Sequence, residues 1–329
     1  MRLDPLTGAW TIFSDSRALR PAFGSVRDEV GAPDPFARGR ERFAPHTLHE
    51  ARGNGGWQVR VVPDRSPVLR IEGDATPRAD GFYDHMEGVG AHEVIVEDPA
   101  DQALEDLPLA EIEKVITAWK TRMLDLTRDP RLRAFFIVKN VGAPAGGLVR
   151  HSVSQIVAMA LIPPALRYRL KVAREFHASK KRTIFEDILA EEIRTSTRLV
   201  YENNGFAVFC PYASRTPFEM SIFPKRQCAD FHGLSDQERS QLADVLHTAL
   251  GKLNRVLDYP PYNLLVHTAP SRPAGHVSGQ GIDLDFRWHM EILPRLHHLG
   301  GIELATGCSI NGVRPEIAAE ELRQAELSL

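Results

Sequence analysis

The spacing of hydrophobic residues changes along the chain, and it predicts both strands and helices. Residues 92–97 (His-Glu-Val-Ile-Val-Glu) have the alternation of a strand, whose successive side chains point to opposite faces. Residues 106–127 carry apolar side chains three and four positions apart, as one face of a helix requires. These side chains are Leu109, Ile112, Val115, Ile116, Trp119, Met123 and Leu124.

Other short apolar runs, separated by Gly- and Pro-rich segments, predict more strands. They cover residues 57–63, 135–138, 155–162, 206–211, 220–224, 263–267 and 286–293. Helices are expected over residues 166–199 and 235–257. A parallel doubly wound sheet needs a regular alternation of strand and helix, which this order lacks. The pattern therefore predicts an α+β fold.

Two stretches of the chain share one pattern, in which an apolar strand enters a Pro-Ala-Gly loop and returns as a strand with polar residues at alternate positions. The first begins at Phe136 and the second at Leu264. Because alternate residues share a face, each returning strand presents three residues together: His151, Val153 and Gln155, and then Arg287, His289 and Glu291. This indicates an internal repeat in which His289 matches Val153; chance similarity of two hairpins is the alternative.

Composition limits the classes of partner. The 329 residues suffice for two domains, and 43% apolar with 25% charged residues is typical of a globular protein with a core. A net charge of −3 argues against nucleic-acid binding. We expect no membrane partner, since no apolar run approaches the roughly 20 residues of a membrane span. The first residues lack the core of a signal peptide, so we expect a cytoplasmic protein.

Several motifs, taken in order, resemble one family. They are residues 4–10 (Asp-Pro-Leu-Thr-Gly-Ala-Trp) followed by Arg17 and Arg20, the loop 140–146 (Asn-Val-Gly-Ala-Pro-Ala-Gly), residues 211–219 and residues 292–308. Nearly end to end, the chain resembles the galactose-1-phosphate uridylyltransferase family, most of all the branch that phosphorolyses ADP-glucose. The resemblance implies two tandem histidine-triad domains, at residues 1–165 and 166–329, each a mainly antiparallel sheet with flanking helices.

The residue that carries the family's chemistry is replaced in this chain. The family has His-x-His-x-Gln after the phosphate loop, and its middle histidine attacks the α-phosphorus to form a nucleotidyl-imidazole. The matching stretch here is His151-Ser152-Val153-Ser154-Gln155. Valine has no lone pair, so the resemblance implies that the two-step mechanism cannot run through Val153.

The family's metal ligands are also altered. The zinc-binding positions are matched by Asp34, Ala37, Asp101 and His151, and alanine cannot be a ligand. Structural zinc normally needs four Cys or His ligands, so we expect no zinc and no other cofactor. A second metal site of some members is matched by Arg169, His267, His289 and Glu291. The arginine speaks against a metal, and the other three residues are expected to form a polar cluster.

Other matching positions keep residues suited to phosphate. Arg17 and Arg20 match phosphate-facing arginines, although two surface arginines are the alternative interpretation. Asn140, Gly142 and Gly146 keep the phosphate loop, and Gln155 keeps a donor to a phosphoryl oxygen. Asp64 stands where the family often has an asparagine near the nucleoside, and Leu148 replaces a serine of the loop.

Three functional hypotheses follow from these residues. In the first, the chain is an enzyme that acts on a nucleotide sugar or dinucleotide by direct displacement or through a repositioned histidine such as His151, for which an ordinary strand histidine is the alternative. In the second, it is a catalytically inert nucleotide- or sugar-phosphate-binding protein. In the third, the alignment of the triad at Val153 is displaced, and the family's nucleotidyl transfer through a histidine is retained. A homodimer is expected from the resemblance alone.

Overall fold

Antiparallel strands make up the centre of the protein. A computed structural model describes residues 1–13, 34–53, 55–147, 151–272 and 281–327. Its strands are β1 (Arg2–Leu3), β2 (Trp10–Thr11), β3 (His49–Gly53), β4 (Gly56–Pro63), β5 (Arg78–Asp80), β6 (Tyr83–His85), β7 (Gly90–Val96), β8 (Ala134–Val141), β9 (Val153–Met159), β10 (Leu199–Glu202), β11 (Phe206–Phe209), β12 (Met220–Pro224), β13 (Tyr262–His267) and β14 (His289–Pro294).

Helices pack against these strands. They are α1 (Leu109–Leu126), α2 (Pro164–Lys180), α3 (Ile184–Thr195), α4 (Asp236–Leu257), α5 (Ile282–Asp285), α6 (Gly301–Thr306) and α7 (Pro315–Gln324). Ser235 begins α4 with a capping box, in which its hydroxyl accepts from the backbone N–H of Glu238 and the Glu238 carboxylate accepts from the backbone N–H of Ser235. Among the described residues, no helix is both long and apolar enough to cross a lipid bilayer.

The strands form two sheets. β2, β1, β6 and β5 make a small sheet, and the other ten make a large one in the order β10-β11-β12-β14-β13-β8-β9-β7-β4-β3. All strand pairs in both sheets are antiparallel. The first half of the chain supplies one side of the large sheet and the second half supplies the other, and they meet where β8 pairs with β13.

The register supports the internal repeat and corrects one detail of its alignment. Val138 of β8 lies opposite Leu265 of β13. Gln155 pairs with Val138, and Glu291 pairs with Leu265 in the same way. A pseudo-twofold axis through the Val138–Leu265 pair therefore exchanges Gln155 with Glu291, and Val153 with His289, as the sequence predicts. Aligning Phe136 with Leu264 was wrong by one residue, because these two side chains point to opposite faces of the sheet.

The two faces of the large sheet have different neighbours. α1 and α4 pack on one face, where the main core forms around Trp119, Ile137, Leu246, Val266 and Met290. We call the opposite face the outer face. In the second half it is covered by α2 and α3 through apolar side chains, among them Leu166, Ala173, Phe185, Leu189, Phe209 and Phe223.

Most of the predicted elements are confirmed, and one is wrong. The α+β class with mainly antiparallel sheets and flanking helices is confirmed, and the helix predicted over residues 106–127 is α1. The single helical stretch predicted over residues 166–199 is two helices, because Lys181 ends α2 with a φ of 59° and Thr183 caps α3. The proposed boundary between residues 165 and 166 falls in the first turn of α2, and the division into two domains stays a prediction.

Candidate functional site

The outer face of the first half brings the predicted site residues together. Gln155 lies between Val94 of β7 and Val138 of β8, and Val153 lies opposite Val96. Asn140 is two residues beyond Val138 and so points to the same face. The shared surface that the sequence predicts is therefore observed for Val153 and Gln155, whereas His151 lies before the first residue of β9.

Val153 is part of an apolar cluster. It is only 8% exposed, and its neighbours there include Trp57, Val62, Val94 and Val96, with Phe36 packed against them. An aliphatic side chain in such surroundings offers neither a nucleophile nor a hydrogen bond.

The side chain of Gln155 is held by a residue that the sequence did not single out. His92 Nε2 lies 2.9 Å from Gln155 Oε1 and 3.4 Å from Asp64 Oδ2. His92 is two residues before Val94 on β7, so it lies diagonally across from Gln155 on the outer face. The alternation of residues 92–97 could have placed His92 on that face, but only the β7–β9 register identifies its partner.

Asp64 lies where β4 ends and the chain folds over His92. The backbone N–H of Asp64 donates to the His92 carbonyl at 2.9 Å, and the backbone N–H of Val68 donates to His92 Nδ1 at 3.3 Å. Asp64 Oδ1 accepts from the backbone N–H of Ser66 at 2.6 Å. The segment 64–68 therefore fixes both the ring of His92 and the carboxylate of Asp64.

Asn140 is oriented from the other half of the chain. Asn263 Nδ2 donates to Asn140 Oδ1 at 2.6 Å and to the Ala145 carbonyl at 2.8 Å, and Arg295 Nε donates to Asn263 Oδ1. The carbonyl of the Asn140 amide is thereby engaged, which leaves its NH₂ group as a donor for a ligand.

The loop after β8 needs glycine at two of its predicted positions. Gly142 and Gly146 flank a single turn of 3₁₀-helix (Ala143–Ala145) with φ values of 78° and 80°. A Cβ on Gly142 would lie 2.9 Å from Pro261 Cβ, so this glycine also allows a close approach. The loop continues into residues 148–150, which lie outside the described residues, and Leu148 is one of them.

A pocket of about 230 Å³ lies beside this loop, where β8 and β9 separate. Its wall includes Lys139, Asn140, Gly142 and Ser152. Lys139 Nζ lies 2.5 Å from Glu97 Oε2 and 3.0 Å from Ser152 Oγ, and Ser152 Oγ lies 2.9 Å from Glu97 Oε2. The Lys139 and Glu97 side chains are 3% and 0% exposed, so this buried ion pair connects β8 to the residue that follows β7.

His151 lies among the residues that match the zinc ligands, but its ring nitrogens are already engaged. Nδ1 lies 2.6 Å from Asp34 Oδ2 and 3.9 Å from Asp101 Oδ1, and Nε2 lies 2.5 Å from the Asp98 carbonyl oxygen. Each ring nitrogen thus has an oxygen atom at hydrogen-bonding distance. The four matching positions hold one histidine, two aspartates and Ala37, which supplies no donor, whereas structural zinc normally takes four Cys or His ligands. This donor set does not fit zinc.

The outer face of the second half carries the predicted polar cluster, closed by two arginines. His267, His289 and Glu291 place one potential ligand atom each within 4.8 Å of one another. Arg169 of α2 reaches into this group: its Nη1 lies 2.9 Å from His289 Nε2, and its Nη2 donates to Glu291 Oε1 at 2.8 Å. Arg215 donates to Glu291 Oε2 at 2.8 Å.

The chemistry of the cluster fits a guanidinium better than a metal. Burial, and then the neighbouring His267, lowers the pKa of His289 to about 3. His289 Nδ1 therefore donates to the Arg287 carbonyl, 3.0 Å away, and Nε2 accepts from Arg169. Burial alone would raise the pKa of Glu291, but His267 and both arginines hold it well below its usual range. Two of the atoms that a metal would need, His289 Nε2 and Glu291 Oε1, accept hydrogen bonds from Arg169.

Two of the predicted phosphate-binding residues, Arg17 and Arg20, lie outside the described residues. The described part of the site comprises Asp64, Asn140 and Gln155 with the start of the loop. Sequence reasoning missed His92 and Asn263, which engage Gln155 and Asn140 from neighbouring strands, and the buried Lys139–Glu97 pair beside the pocket. Each of these residues is a polar residue within or next to an apolar strand pattern. That pattern can be recognised in the sequence, but it does not identify the residue that each side chain contacts.

Comparisons with known proteins agree with the fold and motifs. A family model described as galactose-1-phosphate uridyl transferase, N-terminal domain, matches residues 67–163. ADP-glucose phosphorylase of Arabidopsis thaliana is 31% identical over all of this chain and 93% of its own length. Galactose-1-phosphate uridylyltransferase of Thermotoga maritima is 26% identical over all of this chain and 99% of its own.

A solved structure extends this similarity to three dimensions. The crystal structure of an ADP-glucose phosphorylase from Arabidopsis thaliana with bound ADP-glucose superimposes with a TM-score of 0.80 at 30% identity. The superposition covers 99% of this chain and 98% of that one. The chain belongs to the galactose-1-phosphate uridylyltransferase family, and within it resembles the ADP-glucose phosphorylase branch.

Proposed function

We propose that this protein binds a nucleoside diphosphate sugar on the outer face of its first half and acts on it by direct displacement at phosphorus. The observation that carries the proposal is that two oriented amides, those of Asn140 and Gln155, lie on the same face of the sheet as Val153, whose side chain has no nucleophilic atom. The relative of known structure with bound ADP-glucose makes an adenine nucleotide the first ligand to test.

The amides suit a diphosphate. Their carbonyl oxygens are engaged by Asn263 and His92, so the NH₂ groups remain to donate to phosphoryl oxygens. A hydrogen bond to a charged group is worth about 1.5–3 kcal/mol, more than a neutral one. Arg17 and Arg20 are proposed to add two guanidinium groups to the same ligand.

A covalent nucleotidyl-histidine is not part of this proposal. Val153 has no nucleophilic atom, and both ring nitrogens of His151 face acceptors within 2.6 Å. In a direct phosphorolysis, an oxygen of inorganic phosphate forms the new bond to the α-phosphorus. The bond from that phosphorus to the bridging oxygen breaks, and the sugar 1-phosphate leaves with the electron pair. The nucleoside diphosphate is the second product.

We also propose that neither metal site of the family is kept in this chain. His151 is bonded to Asp34 and Asp98 in place of a metal, and Arg169 supplies the positive charge between His289 and Glu291. Elemental analysis of the purified protein should show less than one equivalent of zinc or of any other transition metal. One equivalent of such a metal would contradict this part of the proposal. The cytoplasmic location and the homodimer stay predictions, the second tested by analytical ultracentrifugation.

The stereochemistry at phosphorus tests the direct mechanism. The substrate is ADP-glucose with one sulfur on the α-phosphorus, supplied as a single diastereomer together with inorganic phosphate. One displacement inverts the configuration in the ADP analogue that forms, whereas two successive displacements retain it. Inversion is expected, and retention would show that a covalent intermediate exists and that the assignment of Val153 is wrong.

A second candidate is an inert binder of a nucleotide or sugar phosphate. It is favoured by the same loss: Val153 has no nucleophilic atom, both ring nitrogens of His151 face protein oxygens, and Leu148 replaces the serine of the loop. Calorimetry distinguishes the two functions when combined with the turnover assay. Binding of ADP-glucose without any product supports the inert binder, and absence of binding to every nucleotide sugar and sugar phosphate refutes both.

A further inference from the structure

We propose that His92 is a positioning residue, which holds the amide of Gln155 so that its NH₂ group faces the ligand. This inference rests on the proposed function, since it takes the ligand to be anionic at this point. His92 is 5% exposed and bonds to Gln155 across the β7–β9 pair. It therefore acts through Gln155.

The tautomer of His92 follows from its neighbours. The backbone N–H of Val68 can only donate, so Nδ1 of His92 accepts and carries no hydrogen. In the neutral ring the hydrogen is then on Nε2, which lies 2.9 Å from Gln155 Oε1 and 3.4 Å from Asp64 Oδ2. Both of these atoms are acceptors, as a hydrogen on Nε2 requires.

The orientation of Gln155 follows from that tautomer. A donor at Nε2 requires the oxygen of the Gln155 amide to face His92, and the NH₂ group then points away from it. The reversed amide would place two donors against each other and turn a carbonyl dipole toward an anionic ligand. His92 thus selects one of two nearly isosteric orientations of Gln155.

The same arrangement occurs at the second amide of the site. Asn263 engages the oxygen of Asn140 from β13, as His92 engages the oxygen of Gln155 from β7. Two amides on the adjacent strands β8 and β9 are therefore both fixed as donors by partners on the two flanking strands, β13 and β7. A site prepared in this way favours phosphoryl oxygens over cationic ligands.

Two conservative variants separate positioning from a packing role. The amide nitrogen of glutamine can occupy the place of Nε2, whereas that of asparagine is confined to the place of Nδ1. His92→Gln should therefore keep the affinity for ADP-glucose within about threefold of wild type. His92→Asn should weaken it roughly 10- to 100-fold, the range for losing a hydrogen bond to a charged group. Calorimetry measures the affinities, and thermal unfolding without ligand measures any loss of stability.

A double-mutant cycle tests whether His92 acts through Gln155. Gln155→Ala should weaken binding to a similar degree, and adding His92→Asn to it should cause no further loss. The inference would be overturned if the double variant lost affinity by the product of the two single-variant factors, because His92 would then affect binding by another route. Equal affinities of wild type and His92→Asn would overturn it as well.

A measurement without ligand separates this inference from the proposed function. The side-chain NH₂ resonances of Gln155, assigned by their absence in Gln155→Ala, report the state of its amide in the free protein. They should shift in His92→Asn and stay near wild type in His92→Gln. If wild type binds no nucleotide sugar but the resonances respond in this way, the proposed function fails while the positioning contact stands. Equal responses of both variants would refute the contact itself.

Discussion

Replacing Arg169 by methionine should convert the polar cluster of the second half into a metal site. The variant removes the guanidinium that now lies between His289 Nε2 and Glu291 Oε1. It leaves His267, His289 and Glu291 with ligand atoms within 4.8 Å of one another. Two histidines and a carboxylate are a common protein set for Zn²⁺ with an open position. His289 is neutral at pH 7 because its pKa is about 3, so protons do not compete for its lone pair.

The structure sets the magnitude of both effects. Removing Arg169 takes one charged hydrogen bond from Glu291, which keeps Arg215 and stays largely buried, and a second one from His289 Nε2. The expected loss is about 3 kcal/mol, the lower end of the range for two hydrogen bonds to a charged group. Zn²⁺ at 100 times its dissociation constant would return about 2.7 kcal/mol, enough to offset most of the loss. The variant should therefore unfold at a lower temperature than wild type without metal, and at a similar temperature with it.

Thermal unfolding and calorimetry with Zn²⁺ test this prediction on three proteins. The matched control is Arg167→Met, which removes an exposed arginine of the same helix whose Nη2 donates to the Ile162 carbonyl. The control and wild type should bind no Zn²⁺ in the cluster. A folded Arg169→Met protein that gains no affinity for Zn²⁺, or wild type that binds it equally well, would show that Arg169 is not what excludes the metal.

Three further predictions concern other groups. Lys139→Met should destabilise the protein by about 3–5 kcal/mol because it leaves Glu97 buried without its cation, and adding Glu97→Gln should restore most of the loss in a thermal-unfolding assay. The unfolding temperature should fall between pH 6.5 and pH 3, because His289 takes up its proton at a higher pH in the unfolded chain than in the folded one; His289→Asn should reduce this slope. Mass spectrometry after incubation with ADP-glucose should find no nucleotidyl adduct on wild type and an adduct on Val153→His, and an adduct on wild type would contradict the role assigned to Val153.

The sequence predicted those parts of the structure that depend on local pattern. Period-two spacing placed Val153 and Gln155 on one face, and helical spacing located α1. The family motifs brought Asp34, Asp101 and His151 into one place, although the sequence could not show that Asp98 would take the second nitrogen of His151. That contact uses a backbone carbonyl, which no residue type reveals.

The parts that could not be predicted depend on pairings between distant strands. His92 meets Gln155 because of the β7–β9 register, and Asn263 meets Asn140 because β13 pairs with β8. The end of α2 at Lys181 was also missed, since a lysine with positive φ is uncommon and has no sequence signal. The contacts of His92 with Gln155 and of Asn263 with Asn140 join residues that are more than 60 positions apart. The spacing of hydrophobic residues does not predict pairs at such separations.

The pairing of β8 with β13 has a consequence for any attempt to produce one half of the chain alone. Six residue pairs link these two strands, and they lie at the centre of a ten-stranded sheet. If the two halves were separated, β8 and β13 would each become the edge strand of a smaller sheet, with unpaired N–H and C=O groups along that edge. Such edges recruit strands from other molecules, so an isolated half is expected to aggregate or to pair with a second copy of itself. Mixing separately expressed halves should instead restore a soluble heterodimer across this seam.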